Sequence, residues 1–331
     1  MKSRAIWVQA GDKNLIFFHR QFNYMKSINF IKSIQNEEGN IISSQDSLEL
    51  EAMRHFQNQY KDHDLDFQVQ SEYISHMPEL FLGEDNDTLC RLVTKEELVD
   101  TMKESAREKS LGPNSWGVEV FIHFADLMIP NLLAATEESR INGFILGAIN
   151  ATFITLIAKR KNPQSFVDFC PMSLCNTVYK LISKVIARRM KSILSKIITE
   201  EQFGFIKGRQ IHDAIGIGQE VMHTIKSRNL KSCILKEDLT KAYNCVDWEF
   251  LKMIMIKVGL SNLIIVWIMG CIKTTNFAVI INGIPSKFFL VHRGLRQGCA
   301  LSPMSFLMVI DSLNRKVRDE KAVGEILGIR V

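Results

Sequence analysis

Asp238, an acidic residue at the end of a short apolar run, is the first candidate for chemistry in this chain of 331 residues. The run from Cys233 to Asp238 predicts a β-strand in which Ile234, Lys236 and Asp238 lie on one face. A carboxylate at the end of a strand suits Mg²⁺, an ion that prefers oxygen ligands and bridges phosphates. The alternative is that Asp238 caps a following helix, which is a common position for aspartate.

The second candidate is the glycine-rich segment from Gly294 to Pro303, further along the chain. Gly294 and Gly298 flank Leu-Arg-Gln, and such glycines permit an unusual backbone that a ligand can approach closely. Gln297 would then contact that ligand. The alternative is an ordinary turn between a strand and a helix, which explains the glycines but not the polar Arg-Gln pair. The segment ends in Ser-Pro, which predicts the start of a helix with serine as its cap.

Positive charge is concentrated in residues 151–210. This part contains eleven Lys and Arg against three Asp and Glu, a local charge of +8 in a chain whose formal net charge is +5. Such a block indicates a polyanionic partner, although a solvated surface is the alternative. The turn of Lys207, Gly208 and Arg209 is a candidate for phosphate contact, or simply an exposed basic turn. A stripe of basic side chains at helical spacing consists of Lys180, Lys184, Arg188 and Lys191. It is either a contact surface for a nucleic-acid backbone or simply a solvated helix face.

Composition excludes several classes of protein. The seven cysteines show no CxxC spacing, which predicts reduced thiols in an intracellular protein. The eight histidines form no HExxH pattern, so the sequence predicts no zinc site. No stretch reaches the roughly 18 uninterrupted apolar residues that a membrane span needs. The N-terminus lacks a secretory signal pattern.

Periodicity and turn signals predict the elements that position these candidates, and together they predict a mixed α/β (α+β) fold. A hairpin should turn at Asn36–Asn40, and residues 61–90 should form an acidic surface linker. A helix should begin at Thr94, with Glu97 as its capping-box partner. The remaining predicted helices are Ser44–Tyr60, 116–128, 131–146, Asn176–Ile198, 247–258, 262–272 and 303–318. The remaining predicted strands are Phe153–Ile157 and Phe277–Ile281, the latter turning at Asn282-Gly283.

Four segments, in this order along the chain, resemble successive blocks of the reverse transcriptases of non-LTR (LINE-type) retrotransposons, most closely those of plants. They are Leu156–Asn176, Glu201–Arg209, Lys236–Trp248 and Gly294–Pro303. The resemblance implies a right-hand polymerase fold, here fingers and a partial palm with a helical N-terminal extension. It divides the chain into an N-terminal extension or linker (1–92) and a polymerase domain (93–331) with its core at 150–331.

The same resemblance implies an enzyme that copies RNA into DNA with Mg²⁺, so that its partners are an RNA template, a DNA primer and dNTP. It also implies a nuclear or cytoplasmic protein without a membrane. Asp238 would be the first metal carboxylate, and we expect it to share one cleft with Gln297. The remaining implied roles are Tyr243 as the gate that excludes a 2′-hydroxyl, Gln297 and Gly298 as the lining of the nucleotide pocket, Lys159 facing the triphosphate, and Lys207, Gly208 and Arg209 at the nucleic acid.

The chain also departs from the family pattern. Cys170 stands where the family usually has an arginine that grips the triphosphate. Glu237 stands where an aliphatic residue is usual. The paired-aspartate box, which supplies further metal carboxylates, belongs after Val331. These departures predict a truncated fragment with little or no polymerase activity. The alternatives are a nucleic-acid-binding remnant without chemistry and an inert polypeptide.

Overall fold

The strands of the fold form two sheets in a computed structural model, which describes residues 20, 23–24, 27, 29–62, 66–105, 110–239 and 241–327. The strands are β1 (Ile34–Gln35), β2 (Ile41–Ile42), β3 (Ala151–Ala158), β4 (Phe169–Cys175), β5 (Asn276–Ile281), β6 (Ile284–Pro285) and β7 (Phe289–Leu290). Antiparallel β1 and β2 form the predicted hairpin. The other five strands form a mixed sheet in the order β4-β3-β5-β6, with β7 also paired to β5.

The central strand β3 is antiparallel to β4 and parallel to β5. Its residues are mostly β-branched or aromatic, types that fit a pleated surface, and alternate side chains such as Thr152 and Ile154 are buried. The β5–β6 hairpin turns at Asn282 and Gly283, both with positive φ (+55° and +90°), the backbone of a type I′ turn. The predicted strands at 153–157 and 277–281 are therefore confirmed.

Most of the other described elements are α-helices. Their bounds are α1 (Gln45–Gln59), α2 (Phe67–Ile74), α3 (Gly83–Cys90), α4 (Lys95–Lys103), α5 (Val118–His123), α6 (Ala125–Asn142), α7 (Gly147–Asn150), α8 (Thr177–Ile197), α9 (Ile211–Ser227), α10 (Trp248–Lys257), α11 (Asn262–Lys273) and α12 (Leu301–Val323). Helix α1 packs against β5, α6 against α11, and α8 against α4 and α12. The predicted mixed α/β class is confirmed, whereas its division into fingers and palm stays a prediction.

Helix α8 is the clearest case in which sequence periodicity determines packing. Most of its apolar stripe, including Val185 and Ile186, is buried, and Val178 and Ile197 near its two ends are half-buried. Arg189 is also buried, and its guanidinium donates to both carboxylate oxygens of Glu97 in α4, at 2.9 and 2.7 Å. It also donates to the backbone carbonyl oxygen of Leu89 at 2.8 Å. The helix predicted for 176–198 is confirmed, and its charged residues bind neighbouring elements as well as facing solvent.

The prediction of a surface linker at 61–90 was wrong. Helices α2 and α3 occupy most of this stretch, and Ile74, Phe81 and Leu89 are buried in the core. The backbone N–H of Phe81 donates to the carbonyl oxygen of Val258 at 3.0 Å, which fixes the segment against the end of α10. The acidic residues that suggested a linker lie mainly on the exposed faces of these helices, and sparse apolar residues supply the buried faces.

The predicted strand ending at Asp238 was also wrong. Residues 230–239 form neither helix nor strand, and their side chains are exposed, including Ile234 and Leu235. A strand needs a neighbour for its backbone hydrogen bonds, and none of the described strands runs beside this segment. Helix α9, which precedes it, was not predicted from the sequence.

Candidate functional site

The turn at Gly294 packs directly on the segment that contains Tyr243. The N–H of Gly294 donates to the carbonyl oxygen of Val246 at 2.8 Å, and the N–H of Leu295 donates to that of Tyr243 at 2.7 Å. Gly294 has φ +89°, and a Cβ atom there would lie 2.8 Å from the carbonyl oxygen of Asn244. Only glycine meets both conditions. The fold thus brings together two sequence segments that are distant along the chain.

Arg296 within this turn is a structural residue. Its guanidinium is buried and donates to Asn150 Oδ1 at 2.6 Å, to Thr152 Oγ1 at 3.2 Å and to the carbonyl oxygen of Cys271 at 2.5 Å. Its Cζ atom lies 3.6 Å from the centre of the Tyr179 ring. The arginine that suggested ligand contact in the sequence instead fixes the turn to the sheet.

Gln297 and Gly298 lie on the accessible side of the same turn. The backbone carbonyl of Gln297 accepts from the N–H of Ser173 in β4 at 3.2 Å, and its Oε1 atom lies 3.7 Å from Cys170 Sγ. Gly298 has φ +96°. Helix α12 follows directly and begins at Leu301 with Ala300 as its cap, two residues earlier than predicted. Gln297 is therefore anchored through its backbone, and its side chain lies at the surface.

A cleft of about 580 Å³ brings Gln297 and Gly298 together with Tyr243. Lys180 and Lys184 of α8 also line it. The Tyr243 ring stacks on Phe306 of α12, with centroids 5.0 Å apart and an interplanar angle of 27°. Burial raises the pKa of the Tyr243 phenol. Three of the four residues predicted to bind nucleotide thus share one cleft.

An adjoining cleft of about 740 Å³ is strongly basic. It shares Lys184 with the Gln297 cleft and adds Arg188, Lys191 and Lys207. Arg188 forms an ion pair with Glu104 at 3.2 Å, and Glu104 also lines both clefts. Cationic side chains outnumber carboxylates along this surface, which suits a polyanion.

The turn from Lys207 to Arg209, which was predicted to contact nucleic acid, contains two exposed residues and one residue that is hydrogen-bonded within the protein. Lys207 and Gly208 are exposed. The guanidinium of Arg209 donates to the carbonyl oxygens of Thr199, Gln202 and Ile198 at 2.5, 2.8 and 3.0 Å. Arg209 therefore closes the turn that follows α8. Its predicted contact with nucleic acid stays a prediction.

Lys159 lies at the exposed end of β3, outside the lining of the Gln297 cleft. Its Nζ atom donates to the carbonyl oxygen of Val167 at 3.2 Å.

A second lysine, Lys241, was not singled out from the sequence. Its Nζ atom donates to Gln59 Oε1 of α1 at 3.0 Å. Lys241 belongs to the predicted Asp238 block, but nothing local in the sequence indicates its contact with residue 59.

Asp238 lies along a different groove, of about 670 Å³ and mainly apolar lining. Tyr243 lines the Gln297 cleft and Phe306 lines this groove, so the stacked pair forms a wall between them. The expectation that Asp238 and Gln297 share one cleft is therefore wrong for this structure.

The residues around Asp238 do not fit Mg²⁺ as they are arranged here. The other carboxylate on the groove, Asp247, accepts from the N–H of Phe250 at 2.6 Å as the cap of α10. Within the described ranges, no group of three or more His, Cys, Asp or Glu residues is placed to hold a metal ion. A single exposed carboxylate does not supply the coordination that Mg²⁺ requires.

None of the helices in the part of the chain that the structure describes combines the length and the apolar character needed to cross a membrane.

Comparison with known proteins identifies the family. The family described as reverse transcriptase (RNA-dependent DNA polymerase) matches residues 159–328, which are 170 of the 331 residues. The Xenopus laevis transposon TX1 uncharacterized 149 kDa protein is 25% identical over 219 residues, 66% of this chain and 17% of that protein. The Popillia japonica retrovirus-related Pol polyprotein from type-1 retrotransposable element R2 is 18% identical over 175 residues, 53% of this chain and 24% of that protein.

The chain therefore spans less than a quarter of the length of these two relatives. The matched residues include Tyr243 and the turn with Arg296 and Gln297, which form one side of the Gln297 cleft, whereas the side formed by residues 104–105 and 111–119 lies before the match. The resemblance to non-LTR retrotransposon proteins, predicted from the order of four segments, is confirmed by these matches. The chain belongs to the reverse transcriptase family.

Proposed function

We propose that this chain binds nucleotide and nucleic acid as part of an RNA-directed DNA polymerase. The Gln297 cleft would receive the incoming dNTP, and the adjoining basic cleft would receive the RNA template and DNA primer. The observation that carries this proposal is that Tyr243, Gln297 and Gly298 line one cleft together with Lys180 and Lys184.

The chemistry of the two clefts supports this assignment. A planar amide such as that of Gln297 can donate to and accept from a base edge. The Tyr243 ring is held by its stack on Phe306 and is therefore a fixed surface against which a sugar could rest. The exposed Lys191 and Lys207 are positioned for phosphate contacts, which supply most of the affinity for nucleic acid.

Nucleotide addition is a separate matter. We propose that this arrangement binds nucleic acid without catalysing extension, because Asp238 lies outside the Gln297 cleft and no group of three or more His, Cys, Asp or Glu residues in the described ranges is placed to hold a metal ion. The test is primer extension on an RNA template with Mg²⁺, comparing the wild type with Asp238→Asn. We expect no extension by either protein. Extension by the wild type that Asp238→Asn abolishes would refute this proposal and show that Asp238 moves into the cleft.

Binding is tested by the fluorescence anisotropy of a labelled RNA–DNA hybrid over a series of salt concentrations. We expect Lys191→Met and Lys207→Met each to lower affinity roughly eightfold at about 0.1 M salt, since each removes about one released counterion. Each should also reduce the salt slope by about 1.

Lys257→Met, which removes an exposed charge from α10, is the matched control and should leave affinity unchanged. Equal effects from all three variants would indicate a response to net charge alone. Absence of any binding by the wild type would favour an inert polypeptide.

A further inference from the structure

The C-terminal end of α1 is bonded to the glycine-rich turn of the Gln297 cleft. The guanidinium of Arg293 donates from Nε and Nη2 to the backbone carbonyl oxygen of Gln59, at 3.1 and 3.0 Å. The N–H of His292 donates to the carbonyl oxygen of Tyr60 at 3.0 Å. A helix leaves its last carbonyl groups without partners inside the helix, and here residues beside the turn bind them. The end of α1 is therefore fixed to that turn.

The side chain of Gln59 contacts the other segment of the cleft. Its Oε1 atom accepts from Lys241 Nζ at 3.0 Å, and Lys241 lies two residues before Tyr243. Arg293, which binds the backbone of the same glutamine, lies four residues before Gln297. One residue of α1 thus bridges the segment that contains Tyr243 and the turn that contains Gln297.

Lys241 has a backbone conformation that needs support from its surroundings. Its φ and ψ angles are +56° and +35°, in the left-handed region, which a residue with a Cβ atom occupies only at a cost in energy. Such conformations persist where the surrounding structure holds them. Lys241 directly precedes the single turn of 3₁₀ helix, Ala242–Cys245, that contains Tyr243. The contact with Gln59 therefore helps to set the position of the Tyr243 ring.

Gln59 makes this contact while its own amide nitrogen stays unpaired. Gln59 Nε2 is buried and has no hydrogen-bond partner among the described residues. A buried donor without a partner is costly, so the contact with Lys241, rather than the needs of the amide group, accounts for this orientation. Gln59 also lies before residue 159, where the match to the reverse transcriptase family begins. Comparison with the family therefore assigns it no role.

We propose that Gln59 is a positioning residue for the Gln297 cleft, which holds Tyr243 and Gln297 at the spacing that a deoxynucleotide requires. Gln59 itself lies outside the lining of the cleft and acts through Lys241 and Arg293. This inference rests on the proposed function, because the ligand is the incoming dNTP.

Isothermal titration calorimetry with dATP and with ATP tests this role, since the two nucleotides differ only in the 2′-hydroxyl that Tyr243 would exclude. Gln59→Met removes the acceptor of Lys241 and keeps the backbone carbonyl that binds Arg293. We expect it to weaken dATP binding about threefold, the effect of losing one partly exposed hydrogen bond. ATP affinity should change little, because a displaced Tyr243 excludes the 2′-hydroxyl less well. The ratio of dATP affinity to ATP affinity should therefore fall.

Two variants provide the controls. Gln59→Glu keeps an oxygen acceptor for Lys241 and no longer buries an unpaired amide nitrogen, so it should bind dATP at least as well as the wild type. Gln57→Met makes the same change at an exposed position of α1 and should leave the affinities for both nucleotides unchanged. A loss of folded protein would reduce the binding of dATP and ATP equally, so their ratio separates positioning from a purely structural role.

Hydrogen exchange measures the same contact without a ligand. The N–H of Leu295 donates to the carbonyl oxygen of Tyr243 at 2.7 Å and therefore reports whether the two segments stay together. In Gln59→Met this amide should exchange about threefold faster, because the same hydrogen bond no longer opposes local opening. In Gln59→Glu and Gln57→Met it should exchange no faster than in the wild type.

Three results would overturn the proposal. The first is that Gln59→Met, shown to be folded by circular dichroism, binds dATP and ATP in the same ratio as the wild type. The second is that Gln57→Met has the same effect as Gln59→Met. The third is that Leu295 exchanges at the wild-type rate in Gln59→Met. In each case, a wild type that binds dATP and the RNA–DNA hybrid leaves the proposed function standing. A wild type that does not bind dATP would contradict both this inference and the nucleotide binding proposed above.

Discussion

Arg296 provides a direct test of whether the polar residues of the glycine-rich turn are structural or bind ligand. Its charge is buried without a carboxylate partner and is held by three neutral oxygen acceptors and the Tyr179 ring. We compare Arg296→Lys, which keeps the charge, with Arg296→Met, which keeps much of the side-chain volume and removes the charge. If the guanidinium is structural, its shape matters more than its charge.

The two variants should differ in stability by a measurable amount. Arg296→Lys loses the flat guanidinium against the ring, about 2 kcal/mol for a desolvated contact, and strands at least one acceptor, about 1–3 kcal/mol. A compact ammonium must also remain buried or lose its proton. We expect a loss of about 3–5 kcal/mol in the free energy of unfolding. Arg296→Met loses all three hydrogen bonds and the ring contact but no longer buries a charge. The carbonyl oxygen of Cys271 still accepts from Asn150 Nδ2 at 3.1 Å, so we expect a smaller loss, about 1–3 kcal/mol.

Urea unfolding followed by circular dichroism at pH 7 gives both free energies. The expected order of stability is wild type, then Arg296→Met, then Arg296→Lys. An Arg296→Lys protein as stable as the wild type would refute the reasoning, and so would an Arg296→Met protein less stable than Arg296→Lys. Either result would mean that the positive charge, rather than the shape of the guanidinium, is what the turn requires.

Two further predictions concern packing and pH. A Cβ atom on Gly270 of α11 would lie 2.1 Å from the carbonyl oxygen of Gly143, so Gly270→Ala should cost about 3 kcal/mol or more, measured by urea unfolding. Gly216→Ala is the control, because a Cβ atom there has nothing within 4 Å, and it should stabilise α9 by up to about 1 kcal/mol. Burial alone would raise the pKa of Glu97, but the hydrogen bonds and charge of Arg189 outweigh burial and hold that pKa below its ordinary value of 4.5. The pair should therefore stabilise the wild type fully above pH 4.5. Glu97→Gln should lower the free energy of unfolding by about 2 kcal/mol or more at pH 7, and by progressively less as the pH falls through the lowered pKa. An equal loss at pH 3 would contradict this prediction.

Local signals predicted much of the fold correctly. The stripe of α8, the cap of α4 at Thr94 and the Asn282–Gly283 turn each depend on residues only a few positions apart. Such features form with little help from the rest of the chain, so a single sequence contains their cause. The Thr94 hydroxyl accepts from the N–H of Glu97 at 3.2 Å, as predicted, but the Glu97 carboxylate binds Arg189 instead of closing a capping box.

The errors have a common physical origin in long-range contacts. The strand predicted before Asp238 has an apolar pattern but no neighbouring strand, and pattern alone cannot supply the missing hydrogen bonds. Helix α9 was missed because Gly216 and Gly218 interrupt its apolar residues, and glycine disfavours helix. The role of Arg296 depends on Asn150 and Thr152, which lie far away in sequence.

The candidate site shows the same division between features that the sequence predicted and features that depend on long-range contacts. Order along the chain was enough to identify the family and to group Tyr243 with Gln297. The position of Asp238 and the contact of Gln59 with Lys241 depend on how elements meet, and no local pattern encodes them.

The pairing of β3 with β5 has a consequence for the synthesis of this protein. Residues 159–275 separate the two strands, and parallel neighbours always require such a crossover. On the ribosome, β3 and β4 can form their hairpin early, but β3 keeps one bare edge until residues 276–281 emerge. Helix α1 also waits for β5, against which it packs. A nascent chain is therefore exposed to mispairing while residues 159–281 are synthesised, and chaperones that cover bare strand edges should engage it during that interval.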